Sequence, residues 1–156
     1  METVYIETTI VSFFVAGPSR DAILGAHQQL TRQWWQDERQ RYKCVTSEEV
    51  LREAALGDAE MSRRRAEALA GMTVFLVDDT ARGVAREILA EMILPPAAAS
   101  DAIHAAVASL NQVNILLTWN CRHLANPHLL RRLRALMARR SLTLPEICTP
   151  IELAAE

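Results

Sequence analysis

The sequence predicts an α/β fold of three layers, α/β/α, on a short-stranded parallel sheet of four to five strands. Three observations carry this. Strand-like runs alternate with helical stretches, the order that yields right-handed βαβ units. The runs V-F-L-V and I-L-L are short and almost wholly apolar, as strands buried on both faces are. Apolar residues make up 50% and charged residues 23% of 156, enough for a core within one domain spanning residues 1–156.

Residues 3–6 form a β-rich start, and the pair Thr8-Thr9 suits a strand-to-helix transition with capping hydroxyls. G-P-S-R-D at 17–21 is a turn, followed by a helix over about 22–41 whose Leu24, Leu30, Trp34 and Trp35 form an apolar stripe. A second strand covers 42–46. Ser47 then caps a helix that stops at Gly57-Asp58, and residues 59–70 form another. Gly71 ends it before the strand M-T-V-F-L-V. A helix from Asp79 or Thr80 to about Leu94 stops at Pro95-Pro96. Residues 97–110 are helical, 114–118 are the fourth strand, and 127–140 are the last long helix. A short strand at 146–149 and a turn of helix complete the chain.

Composition excludes several classes. No apolar run has the length of a membrane span, and the charged N-terminus lacks a signal-peptide core. Cys44, Cys121 and Cys148 are odd in number and widely spaced, which predicts free thiols, a reducing compartment and a cytoplasmic location. A net charge of −2 provides no global attraction to nucleic acid, so such a substrate needs local basic patches or a metal.

The candidate chemistry lies in single polar residues at segment boundaries. Glu7 directly follows V-Y-I in V-Y-I-E-T-T, where burial is expected; a buried glutamate needs a partner or a metal, and solvent at the strand end or an arginine is the alternative. Asp101 opens the helix A-S-D-A-I-H-A-A, whose core stripe is read as Ile103, Ala106, Val107 and Leu110; helix-dipole preference alone also explains an acid there, with Ser100 as cap. Glu53 follows the second strand and competes with Glu48 and Glu49, of which Glu49 shares its face. Asn120 ends L-L-T-W-N and has an amide oxygen for a metal or a water. Carboxylates at the ends of parallel strands converge on one point, a natural site for a hard divalent cation and phosphodiester chemistry.

Here the chain resembles the PIN-domain nucleases, and among them the VapC-like toxins of toxin–antitoxin pairs. Glu7-Thr8-Thr9 matches the family's first-strand motif, S-E-E-V-L-R-E its second acid with Glu53 in place, Asp101 its third, and Thr118-Trp119-Asn120 its fourth motif. The likeness runs over residues 4–126. It implies a PIN-like domain, Mg²⁺ or Mn²⁺ held by Glu7, Glu53 and Asp101, and hydrolysis within an RNA chain. Asp101 would orient the attacking water, with Thr8, Thr118 and Asn120 in supporting catalytic roles. It further implies a homodimer restrained by an antitoxin protein. Glu7 stands where aspartate is usual, and Asn120 where many members carry aspartate, so this site has one negative charge fewer. A PIN-fold protein that binds RNA or a partner without cutting is therefore the rival reading. A phosphohydrolase on a similar sheet is disfavoured, because no second carboxylate follows Glu7 two residues on.

Other features have plainer readings. Arg131, Arg132, Arg134, Arg139 and Arg140 make the last helix basic, and Arg63 to Arg65 form a second cluster; they either track phosphates or cover a solvated face. Cys121, His123 and His128 fit no standard zinc spacing. His104 is read as a polar rim histidine or a base, and Trp34 and Trp35 as packing residues.

Overall fold

The computed structural model describes residues 1–154. Five strands, β1 (Thr3–Ile6), β2 (Lys43–Ser47), β3 (Thr73–Phe75), β4 (Ile115–Leu117) and β5 (Glu146–Cys148), form one sheet. Their order is β3-β2-β1-β4-β5 and every pairing is parallel. β1 is central because Val4, Tyr5 and Ile6 bury completely, with Tyr5 in register with Val45 on one side and Leu116 on the other. The helices are α1 (Thr8–Val15), α2 (Ala22–Gln33), α3 (Glu48–Ala54), α4 (Ala59–Leu69), α5 (Asp79–Ala90), α6 (Ala99–Leu110), α7 (Pro127–Arg139) and α8 (Pro150–Leu153). α1 packs on α2, α3 and α4, and α5 packs on α6, which gives the α/β/α layering that right-handed crossovers require.

This order has one functional consequence. The chain steps outward from β1 to β2 to β3, then returns to β4 on the far side of β1. Between β1 and β4 the connections diverge in opposite directions, and the crevice beyond their C-terminal ends is where such sheets hold ligands.

Several elements differ from the sequence reading. The helix expected over 22–41 is α-helical to Gln33, then passes through a π turn at Trp34–Glu38 and a 3₁₀ turn at Arg39–Arg41. The wider turn, closed by the Arg39 N–H donating to the Trp34 carbonyl, lets two consecutive tryptophans bury together. Glu7 caps α1, its carboxylate accepting from the Thr9 N–H, so the capping group is the acid rather than a threonine hydroxyl. The helix after Pro95-Pro96 begins with a 3₁₀ turn at Pro96–Ala98, and Ser100 does not cap it. Ile103 and Leu110 are half-buried, whereas Ala102, His104, Ala105 and Ala108 join Ala106 and Val107 in the core. Small alanines let α6 sit close to its neighbours on most of its circumference.

Candidate metal centre at the β1–β4 switch point

Each acid reaches the switch point by a different local device. Glu7 follows β1 directly, and its N–H still donates to the Leu117 carbonyl of β4 at 3.2 Å. Its side chain is 3% exposed. Oε2 accepts from the Thr9 N–H at 2.9 Å, the Thr9 hydroxyl at 2.6 Å and the Thr118 hydroxyl at 2.9 Å. Oε1 accepts no hydrogen bond among the described residues and is open to solvent, the free acceptor of an otherwise nearly buried carboxylate. Thr118 directly follows β4 and is fully buried; its oxygen also accepts the Asn120 N–H at 2.9 Å.

Asp101, in the first turn of α6, comes from the other direction. Its Oδ2 accepts from the Asn120 side-chain amide at 3.0 Å and lies 3.3 Å from His123 Nδ1. The amide oxygen of Asn120 accepts the His123 N–H at 2.9 Å. Asn120 is thus committed on both ends of its amide to holding Asp101 and the following loop, which occupies the oxygen read from the sequence as open to a metal or a water.

Glu53 projects from the last turn of α3. Its Oε1 accepts from the Thr8 hydroxyl at 2.7 Å and lies 2.6 Å from His104 Nε2. Glu49 has different company: it forms an ion pair with Arg52 and accepts the Ser100 hydroxyl at 2.9 Å. His104 is completely buried, not at a rim, and its Nδ1 lies 2.7 Å from the Tyr5 hydroxyl, which in turn is 2.6 Å from Ser47 Oγ.

One donor atom each of Glu7, Asp101 and His104 lies within 4.8 Å of the other two. No lysine or arginine pairs with Glu7, Glu53 or Asp101 among the described residues; their ionic contacts are the two histidines. The electrostatics follow. Burial pushes the Glu7 carboxyl above its ordinary range, against the pull of His104 and the Thr9 and Thr118 donors. Burial likewise raises Asp101, opposed by His104 and His123. Glu53 goes the other way: burial is more than offset by the hydrogen bond and charge of His104 and by the hydroxyl donors around it. His104 is raised despite its burial, through Glu53, Glu7 and Asp101. Two crowded carboxylates that resist ionisation, one with a free acceptor, fit a hard divalent cation bound through oxygen.

Of the residues singled out in the sequence, Glu7, Thr118, Asn120 and Asp101 share one hydrogen-bonded group; Thr8 and Glu53 form a second with His104, a donor atom of which lies within 4.8 Å of Glu7 and Asp101. Sequence reasoning passed over Tyr5, gave Ser47 only a capping role and Thr9 a capping and motif role, and underrated His104. The position of His104 three residues after Asp101 was a signal; its tyrosine and glutamate partners were not visible. Cys121, His123 and His128 form no metal cluster among the described residues, and Cys121 is exposed. The arginine clusters are largely engaged. Arg63 and Arg64 pair with Glu60 and Glu67, Arg65 donates to the Ala54 and Leu56 carbonyls, and Arg139 and Arg140 pair with Glu91 and Glu87. Trp34 and Trp35 are core residues.

No family model and no curated protein matches the sequence. Among solved structures, the chain is similar to one in the crystal structure of VapBC2 from Rickettsia felis bound to a DNA fragment from their promoter. The TM-score is 0.59 at 13% identity, over 94% of this chain and 98% of that one. The likeness is one of fold: a PIN-like three-layer α/β/α architecture around a five-stranded parallel sheet.

Proposed function

We propose that this chain is a metal-dependent endoribonuclease of the VapC kind, the toxin of a toxin–antitoxin pair. The observation that carries the reading is the convergence of Glu7 and Asp101 with His104 at the switch point, Glu53 lying behind His104 at 2.6 Å from its Nε2, with no arginine or lysine to neutralise the acids. The structural neighbour, a VapBC2 complex, supports an antitoxin partner. Within the same reading the protein works as a cytoplasmic homodimer; no helix among the described residues is long and apolar enough to cross a membrane.

Glu7, Glu53 and Asp101 are the oxygen donors that would hold Mg²⁺ or Mn²⁺. When bound, the ion supplies charge stabilisation at the attacked phosphate and a more acidic water. The chain's own groups do the positioning. Thr9 and Thr118 fix one oxygen of Glu7 and leave the other free. Thr8 and His104 aim Glu53. Asn120 holds one oxygen of Asp101, and Asp101 orients the attacking water through the other.

A second reading, an RNA- or partner-binding module that no longer cuts, draws on Asn120: its amide is used up within the protein, and it has no charge to replace the missing fourth acid. Cleavage of a mixed structured RNA in EDTA, Mg²⁺ or Mn²⁺, beside the Asp101→Asn variant, decides between them. Cutting that requires both metal and Asp101 is expected. A folded, antitoxin-free sample that cuts with neither ion moves the protein to the binding class.

A further inference from the structure

We infer that His104 is a positioning residue for Glu53 and not a metal ligand, held in that role by a hydrogen-bonded chain through Tyr5 to Ser47. The inference rests on the metal-site reading above and deepens it, by fixing how His104 holds Glu53. His104 has a donor atom within 4.8 Å of Glu7 and Asp101, so distance alone would make it the third ligand. Its hydrogen bonds argue otherwise. Nε2 lies 2.6 Å from Glu53 Oε1, an oxygen that already accepts from the Thr8 hydroxyl at 2.7 Å. A carboxylate offers acceptors and no proton, so Nε2 carries its hydrogen whether the ring is neutral or charged. A protonated nitrogen has no lone pair for a metal.

Nδ1 is engaged as well. It lies 2.7 Å from the Tyr5 hydroxyl, itself 2.6 Å from Ser47 Oγ, and all three side chains are fully buried. In the neutral ring the chain runs in one direction: Ser47 donates to Tyr5, Tyr5 donates to Nδ1, and Nε2–H donates to Glu53. Its two ends bracket one element, α3. Ser47 caps α3 by accepting the Val50 N–H at 3.3 Å, and Glu53 sits in the last turn of the same helix. β1 and α6 therefore clamp the turn that projects Glu53, in the way ligand-orienting partners do in metal sites. Liberating either ring nitrogen for a metal would leave Glu53 or Tyr5 without its buried partner.

The test has a readout that needs no RNA. Long-range ¹H–¹⁵N spectra of the imidazoles in metal-free protein should show His104 with a proton on Nε2, unchanged in pattern when Mg²⁺ is added. Mn²⁺ affinity is then measured on folded protein by electron paramagnetic resonance. His104→Leu fills the same space without a donor and should weaken Mn²⁺ binding by roughly tenfold to a hundredfold. His104→Gln keeps a donor toward Glu53 and should stay within about threefold of the unchanged protein, which is small beside the loss typical of an orienting group. Tyr5→Phe, the milder change should either variant fail to fold, should weaken binding while His104 remains. Wild-type-like affinity in His104→Leu, or loss of the Nε2 proton on adding Mg²⁺, overturns the inference while leaving the metal site standing. Wild-type protein that binds no Mn²⁺ overturns both.

Discussion

Carboxylates in this molecule occur in two settings with opposite electrostatics. On α4, Glu60 receives Arg63 and Arg64, and hydrogen bonds from their guanidinium groups hold its carboxyl down at about 2. Glu87 of α5 and Glu91 just past its last turn are likewise paired with Arg140 and Arg139 at the C-terminal end of α7. At the switch point, Glu7 and Asp101 have hydroxyls, an amide and histidines for company, and burial raises both. The chain has 17 lysines and arginines, and α4 and α7 use several of theirs on acids that are already well hydrated. Leaving the buried acids without one is costly in the metal-free protein and useful if a cation arrives from solution.

The largest effect expected from that contrast is on metal-linked stability. Mn²⁺ at about 100 times its dissociation constant should stabilise the wild-type protein by about 2.7 kcal/mol, by mass action alone. Glu7→Gln should abolish that gain in a thermal melt, yet match or exceed the wild type in EDTA, because it removes a buried charge lacking a cationic partner. A variant that still gains as much from Mn²⁺ as the wild type would break the comparison at its centre.

The second expectation concerns pH, and its sign differs between neighbours. Glu7 and Asp101 have ordinary values of 4.5 and 3.8, raised in the fold. The folded state therefore holds their protons longer than the unfolded state does. Their contribution favours folding at low pH and is lost as pH rises from those ordinary values through the raised ones. Glu53 is lowered from 4.5, so its contribution is present above 4.5 and is lost as pH falls through its folded value. Melting temperatures in EDTA across pH 3 to 8 should thus fall less steeply toward neutrality in Asp101→Asn than in the wild type. Identical pH profiles for the two proteins would show that Asp101 ionises freely.

A smaller change sharpens the picture of how Glu7 is held. Thr118→Val keeps the shape at the end of β4 but deletes the hydroxyl that donates to Glu7 and accepts from the Asn120 N–H. The loss should be about 1–3 kcal/mol of stability in EDTA, the cost of leaving buried polar groups unmet. Chemical denaturation measures it. A neutral outcome would mean that water replaces the hydroxyl and that the acid is less enclosed than its burial implies.

How far this contrast was legible beforehand depends on whether the determining contact is local. β1 and β4 could be read because V-Y-I and I-L-L are apolar runs with clear boundaries, and α3 because Ser47 caps it where a capping serine was expected. Glu7 and Asp101 were readable as boundary acids. His104 was misread as a rim residue, because its burial comes from Tyr5 and Glu53, which lie 99 and 51 positions away. The π turn at Trp34 was equally hidden: helical periodicity assigns consecutive residues to different directions, and only the packed core demands that Trp34 and Trp35 both be inside. The engagement of Arg65 with the Ala54 and Leu56 carbonyls is a third such case, since a run of arginines reads the same whether it faces water or closes a helix end.

The smallest effect is expected at the arginines the sequence made conspicuous. Arg63 pairs with Glu60 and Glu67, and Arg64 pairs through Nε with Glu60, all exposed on α4, and such pairs contribute little to stability. Arg63→Gln and Arg64→Gln should leave the melting temperature unchanged within error. They should also leave the salt dependence of RNA binding alone, because a side chain occupied by glutamate releases no phosphate counterion when RNA arrives. Binding of a short RNA at several salt concentrations reads this directly. A slope that falls by about one for each arginine removed would mean that the pairs open to phosphate. The two settings would then be linked, with α4 trading its internal partners for the backbone of an RNA that, in the proposed reading, is cut at Glu7 and Asp101.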